Sequence, residues 1–359
     1  MRRCSGAFPP RPHPTPCRSA AFRRLLVFVT VPRKHLQACL WLIAGTGLWG
    51  ISFPIIKAIF LKQDQLVPGA PSAFLASLVV VARFGIGAII VLAFCAHTLR
   101  TITRAEIWEG VGLAFFGGLG ILFQMDGLAH TSASTSAFLT QFYCLLIPIW
   151  AAVTQRALPT FAVIVSSGLV LAGAAILSNF NLREMKIGRG EAETLIAAIF
   201  FAGQILWLEK PEFANNRTSH FTFIMFAGTA LVALPVALFY APNAAAFVRP
   251  YADSSVLIMT SGLVLFCTVA AYGLMNIWQR HITATEAGLI YCLEPVAASA
   301  FALFLPAMLS HLANIQYANE RITRDLLLGG GLILAANVLI QIEAARRGKL
   351  KPGLPTNTE

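Results

Sequence analysis

Acidic residues are scarce in this chain. It carries 16 Asp+Glu against 27 Lys+Arg, and no acid occurs before Asp64. Only 12% of residues are charged, against roughly 25% in an ordinary soluble domain, while 57% are hydrophobic and the mean hydropathy is +0.70. That leaves too little polar surface to coat a soluble globule. Seven cysteines are present without organised spacing. Cys39, Cys95, Cys144, Cys267 and Cys292 lie in or beside apolar runs, and no CxxC occurs, which argues against a disulfide framework or a zinc site. No GxSxG, HExxH or P-loop is found. The histidines are scattered, and Asp126 with His130 reads as a solvated helix end. The chain is therefore expected not to be an enzyme and to need no cofactor or metal. The net charge of +11 comes without a basic, aromatic-interleaved face, so a nucleic-acid partner is not expected.

What remains is long apolar sequence. A membrane-spanning helix needs about 20 mainly apolar residues, and ten such segments can be drawn: 38–60, 72–97, 106–128, 132–153, 160–179, 192–209, 221–240, 255–278, 282–306 and 325–342. Their hydrophobicity is continuous, not alternating, which disfavours a β-barrel. In lipid every backbone polar group must be satisfied internally, so the segments are expected to be helices.

Two of these segments repeat a pattern. TSAFLTQFYCLLIPIWAA (135–152) and ITATEAGLIYCLEPVAAS (282–299) align without a gap at Ala137/Ala284, Leu146/Leu293, Pro148/Pro295 and Ala151/Ala298. Each is the fourth apolar segment of a group of five. An odd number of spans per half reverses the second copy, the arrangement of many secondary transporters. The fold expected is an all-α integral membrane protein of ten transmembrane helices, built as two inverted five-helix repeats. Residues 38–179 form the first repeat and 180–343 the second.

Orientation follows from Lys and Arg. With both termini inside, eighteen of the 27 basic residues fall on the inner side, seven on the outer side and two, Lys57 and Arg83, within spans. The positive-inside rule then places both termini in the cytoplasm. Residues 1–37, rich in Arg, Pro and Ser, read as a basic, disordered tail; a transit peptide or translated sequence upstream of the true start are the other readings. Residues 344–359 read as a cytoplasmic tail.

Ionisable residues at membrane depth are functional candidates by default. Arg83 and Glu294 each fall near the middle of a segment. Either they pair and fix the packing, or they line a pathway, where Arg83 meets an anionic or carbonyl group and Glu294 meets an amine or carries a proton. Lys57 lies near a segment end and can also snorkel to the interface. Among neutral residues, Gln141, Trp207 and Tyr291 are the bulky candidates for a cavity lining. Tyr272 and Asn276 are further polar residues in the eighth segment.

The order of several motifs resembles the drug/metabolite transporter superfamily, EamA-type. They are LWGISFPIIKAIF in the first segment, ARFGIGAIIVLAF in the second, GLAHTSASTSAFLTQFYCLLIPIWAA across the third and fourth, AGLIYCLEPVAASAFALF in the ninth, and NERIT before GGGLILAANVLI. The likeness covers roughly residues 38–345. It departs where Arg156 stands in place of an expected Glu, and where Glu320 is displaced by extra sequence at 307–318, expected to be an outside loop and read either as a short interfacial helix over the pathway or as a tolerated insertion. The resemblance implies a multi-pass permease of a bacterial inner membrane, moving an amino-acid-like or drug-like small molecule by alternating access. Its partners would be that substrate and the bilayer, with oligomerisation not implied. The reading from another class is a non-transporting membrane scaffold or accessory subunit, in which the midplane charges face only each other.

Overall fold

The computed structural model describes residues 33–131, 133–156, 158–177 and 188–348, and every regular element among them is helical. The helices are α1 (Arg33–Leu66), α2 (Ser72–Cys95), α3 (Arg104–His130), α4 (Ala133–Thr140), α5 (Tyr143–Gln155), α6 (Phe161–Leu177), α7 (Arg189–Leu208) and α8 (Thr218–Tyr240). They continue with α9 (Ser254–Gly262), α10 (Ala271–Trp278), α11 (Ala284–Tyr291), α12 (Glu294–Ala302), α13 (Leu305–Ala313) and α14 (Arg324–Gly348). A π-helical stretch, Leu263–Ala270, joins α9 to α10.

Every apolar segment of the sequence is helical, but not every one is an unbroken span. Among the described residues seven helices are long and apolar enough to cross a membrane, and eight if Ala284–Ala302 and Leu305–Ala313, bent by 61°, are taken together. Phe138–Thr154 and Phe161–Leu177 are shorter. Two expectations are corrected, and the 307–318 insertion takes one of the two forms weighed for it. Arg33–Gln37, assigned to the tail, begin α1, and His35 there reaches Glu286 at 3.2 Å; residues 1–32 and 349–359 lie outside the described residues. The 307–318 insertion is partly helical. In α13, Leu309 and Ala313 are buried against Ile56, Ile59 and Leu263. Finally, the fourth and ninth segments are each broken by two residues, at Gln141–Phe142 and Cys292–Leu293.

The prolines do not sit at equivalent places relative to these breaks. Pro148 lies six residues beyond Phe142 and Pro295 two beyond Leu293, a difference of four, or about one helical turn. Pro295 occupies the first turn of α12, where a missing N–H costs nothing. Pro148 sits inside α5 and removes a backbone bond there.

The helix pairing has a regular pattern. α2 packs on α8, α6 on α14, and α5 on α11. α3 packs on α7 and α8, while α1 packs on α10 and α12 and the π stretch packs on α1 and α2. α7 packs on α4 and α5, and exchanging the first five segments for the last five then maps each of these pairings onto itself or onto another of them. Small residues permit the tightest crossings. A Cβ on Gly173 would stand 2.6 Å from the Gly329 carbonyl oxygen, and one on Gly329 2.5 Å from that of Gly173. Gly127 and Gly190 make the same reciprocal approach between α3 and α7.

Candidate functional site

Arg83 is buried in the middle of α2, and the π-helical stretch meets it. A π turn widens the helix and breaks the i→i+4 ladder locally, so a carbonyl becomes available to an outside donor. Arg83 Nη2 donates to the Cys267 carbonyl at 2.6 Å, and Nε donates to Thr268 Oγ1 at 2.6 Å. The Thr268 hydroxyl donates in turn to the Leu263 carbonyl at 3.1 Å, five residues back. The guanidinium also lies 5.4 Å from the Phe84 ring centroid.

An aromatic wall adjoins this clamp. Trp49 meets Tyr272 edge-on at 5.0 Å and Tyr291 at 5.3 Å between ring centroids. Phe84 meets Tyr272 and Phe226, each at 5.6 Å. The Tyr291 hydroxyl donates to Gln279 Oε1 at 2.8 Å, and Gln279 Nε2 donates to the Ile205 carbonyl at 2.8 Å. Trp49 Nε1 is buried without a partner. Asn276 donates to Thr222 at 2.9 Å while its Oδ1 is left unpaired. A buried unsatisfied polar atom costs roughly 1–3 kcal/mol, so such a group is a point to which a ligand or water has reason to bind.

Glu294 begins α12, directly after the break at Cys292–Leu293, and is partly accessible. Its charge acts on Tyr272, Tyr143 and Cys292, and Arg83 acts on it in return, so the residues share one neighbourhood. Yet among the described residues its carboxylate makes no hydrogen bond and no ion pair. The two mid-segment charges therefore share a neighbourhood without being joined: Arg83 is held by the π stretch, and Glu294 has no partner among the described residues.

The other candidates divide. Gln141 is buried at the first break, and the Tyr143 hydroxyl donates to its Oε1 at 3.4 Å. Tyr291 belongs to the aromatic wall. Trp207 does not join them. It packs on Phe116 and Phe213 with Lys210 Nζ 3.7 Å over its ring, and it lines a shallow depression of about 320 Å³ with Ala105, Trp108, Glu212 and Phe213. Lys57 is exposed, with Nζ 5.2 Å from the Tyr317 ring centroid.

Sequence reasoning missed two features. Cys267 and Thr268 lie in the unremarkable apolar run LVLFCTVA, where nothing in the residue pattern announces a π turn. The second feature is an ionic network at one end of the bundle. Glu106 accepts from Arg217 Nε at 2.7 Å and lies 3.1 Å from His220 Nδ1, and Glu109 accepts from Arg280 at 2.6 Å and Asn216 at 2.7 Å. Arg217 and Arg280, counted above only as topology charges, are thus matched by fully buried glutamates. Outside the spans, Asp253 caps α9. The Ser255 hydroxyl, followed by the Ser255 and Val256 N–H groups, holds its carboxyl below the ordinary aspartate value.

No family model matches the chain. A protein of Archaeoglobus fulgidus named an uncharacterized transporter is 25% identical over 311 residues, 86% of this chain and 87% of the relative. A solved structure, titled only as the crystal structure of a protein, superposes with a TM-score of 0.64 at 17% identity, over 88% of this chain and 99% of its own; this is a likeness of fold. Its long apolar helices and this relative identify the chain as a multi-pass helical membrane protein similar over most of its length to a transporter.

Proposed function

We propose that the chain is a secondary transporter of the EamA-type drug/metabolite class, moving a small amino-acid-like or drug-like molecule by alternating access. The observation that carries this reading is the free Glu294 carboxylate beside a clamped Arg83. A membrane scaffold has no use for an unneutralised carboxylate at mid-segment, where a charge costs about 2.5–3.5 kcal/mol on insertion scales. A transporter does, because its substrate or a proton completes the site in turn. The broken fourth and ninth segments agree with this, since interrupted helices at the repeat interface build the binding sites of many transporters. So do the principal helix pairings, which are kept on exchange of the two halves, as two related five-segment units require. The short fourth and fifth segments complete the count of ten in this reading. Both termini face the cytoplasm of a bacterial cell, and a gradient or exchange drives transport.

The test is uptake and efflux of a metabolite panel in vesicles containing the purified protein. At least one compound should move faster than in empty vesicles, and transport should be lost in Glu294→Gln. A panel with no transported compound, or a Glu294→Gln variant at full rate, overturns the reading.

A further inference from the structure

We propose that Thr268, together with the π-helical carbonyl of Cys267, is a positioning clamp that keeps Arg83 out of an ion pair with Glu294, so that both charges remain available at the site. The role of the site rests on the transporter reading; the clamp itself does not. Two opposite charges in a shared, low-dielectric neighbourhood attract strongly, and the default outcome is a contact pair that satisfies both. Here that outcome is absent. Arg83 is within electrostatic reach of Glu294, yet its Nε and Nη2 are each committed at 2.6 Å to acceptors on the π stretch. Hydrogen bonds from a charged donor are the strong kind, worth roughly 1.5–3 kcal/mol each.

The acceptors exist because of the local backbone. The Cys267 carbonyl is reachable where the helix is π-wound, and Thr268 Oγ1 is oriented by its own bond to Leu263, one π turn back. Thr268 is fully buried, with its methyl group 3.4 Å from where a Cβ on Gly87 of α2 would stand and its hydroxyl accepting from Arg83. With α-helical winding and valine at 268, both acceptors would be withdrawn. The guanidinium would then be released to pair with Glu294, on which its charge already acts. The assignment gives a polar residue in an otherwise apolar run a reason to be there, and it makes the π stretch part of the site.

A hydrophobic carbodiimide, dicyclohexylcarbodiimide, reads this directly and without any substrate. A buried carboxyl that is not engaged by a cation adds across the carbodiimide, and acyl migration leaves a stable N-acylurea on the glutamate. The purified protein in detergent is treated, and the peptide carrying Glu294 is quantified by mass spectrometry. Wild type should label at Glu294, and Glu294→Gln should not label at that peptide. Thr268→Val should label about tenfold less, the change that roughly 1.4 kcal/mol of pairing produces, and Thr268→Ser should label as wild type does. The double variant Thr268→Val with Arg83→Gln should recover wild-type labelling, because no cation is left to pair with Glu294. Unchanged labelling in Thr268→Val overturns the clamp. So does low labelling that persists in the double variant, since the loss would then come from altered packing and not from Arg83. Because the readout needs no transport, a clamp that behaves as expected in a protein that moves nothing would sink the transporter reading alone. Transport accompanied by unchanged labelling in Thr268→Val would sink the clamp alone.

Discussion

At the scale of single residues, the site is a question of who neutralises whom. Arg83 has two strong acceptors, and Glu294 has no partner among the described residues. Glu294→Gln and Arg83→Gln should each lower vesicle uptake at least about tenfold, equivalent to roughly 1.4 kcal/mol. They should differ in stability. Arg83→Gln abandons the Cys267 carbonyl and Thr268 and should lower the melting temperature in detergent, whereas Glu294→Gln removes an unpaired charge and should leave it unchanged or raise it. Equal loss of stability in both would mean that the two residues form a structural pair. The buried network at the bundle end behaves differently. Each of its carboxylates is saturated, so Glu109→Gln leaves Arg280 with a weakened partner at 16% side-chain exposure and should destabilise without touching transport chemistry.

At the scale of elements, close crossings and caps decide stability. Gly173 and Gly329 let α6 and α14 approach until each would place a Cβ against the other's carbonyl. Gly173→Ala should therefore lower the melting temperature, at a cost of about 1–3 kcal/mol for overpacking. Gly168→Ala, on the same helix with nothing within 4 Å, should be neutral or slightly stabilising because alanine is the better helix former. Comparable losses in both would show that the crossing is not as tight as described. For α9, the Asp253 cap carries a pH signature. Its folded carboxyl titrates below the ordinary value of about 3.9, so its contribution is fully present above that value and is lost as pH falls through the lowered one. Asp253→Ala should cost about 1 kcal/mol at neutral pH, and the gap between variant and wild type in thermal melting should close below about pH 4.

At the scale of the whole molecule, orientation and repeat make one prediction. If both termini are cytoplasmic and ten segments cross, the connection holding Ala214 faces inward and the one holding Ala244 faces outward. Both alanines are exposed, and the five cysteines of the described residues are all buried. In a protein whose Cys4 and Cys17 are replaced by serine, a membrane-impermeant maleimide added to intact cells should label Ala244→Cys and leave Ala214→Cys untouched until the membrane is opened. Labelling of Ala214→Cys from outside would invert the topology, and equal labelling of both would end the ten-span count.

Composition and apolar run length by themselves determined that this is a helical membrane protein, because lipid tolerates few alternatives to continuous apolar helix. They also singled out Arg83 and Glu294, since a charge in such a run is legible by its cost alone. The repeated segments pointed to two related helices, but not to the break that each contains. Tertiary structure decided where they break, one turn apart relative to the prolines, because the break answers to packing as well as to the missing N–H. It also decided that Arg83 turns to Cys267 and Thr268 and not to Glu294: acceptors 184 and 185 residues away are invisible to local pattern. Trp207 shows the converse. Its bulk and position in a span made it a candidate, but the helix face it occupies turns it toward Phe116 and Gly112, away from the charges. Which face of a helix meets which neighbour is set by the packing of the whole bundle. In a chain whose helices are apolar all round, sequence periodicity carries little of that information.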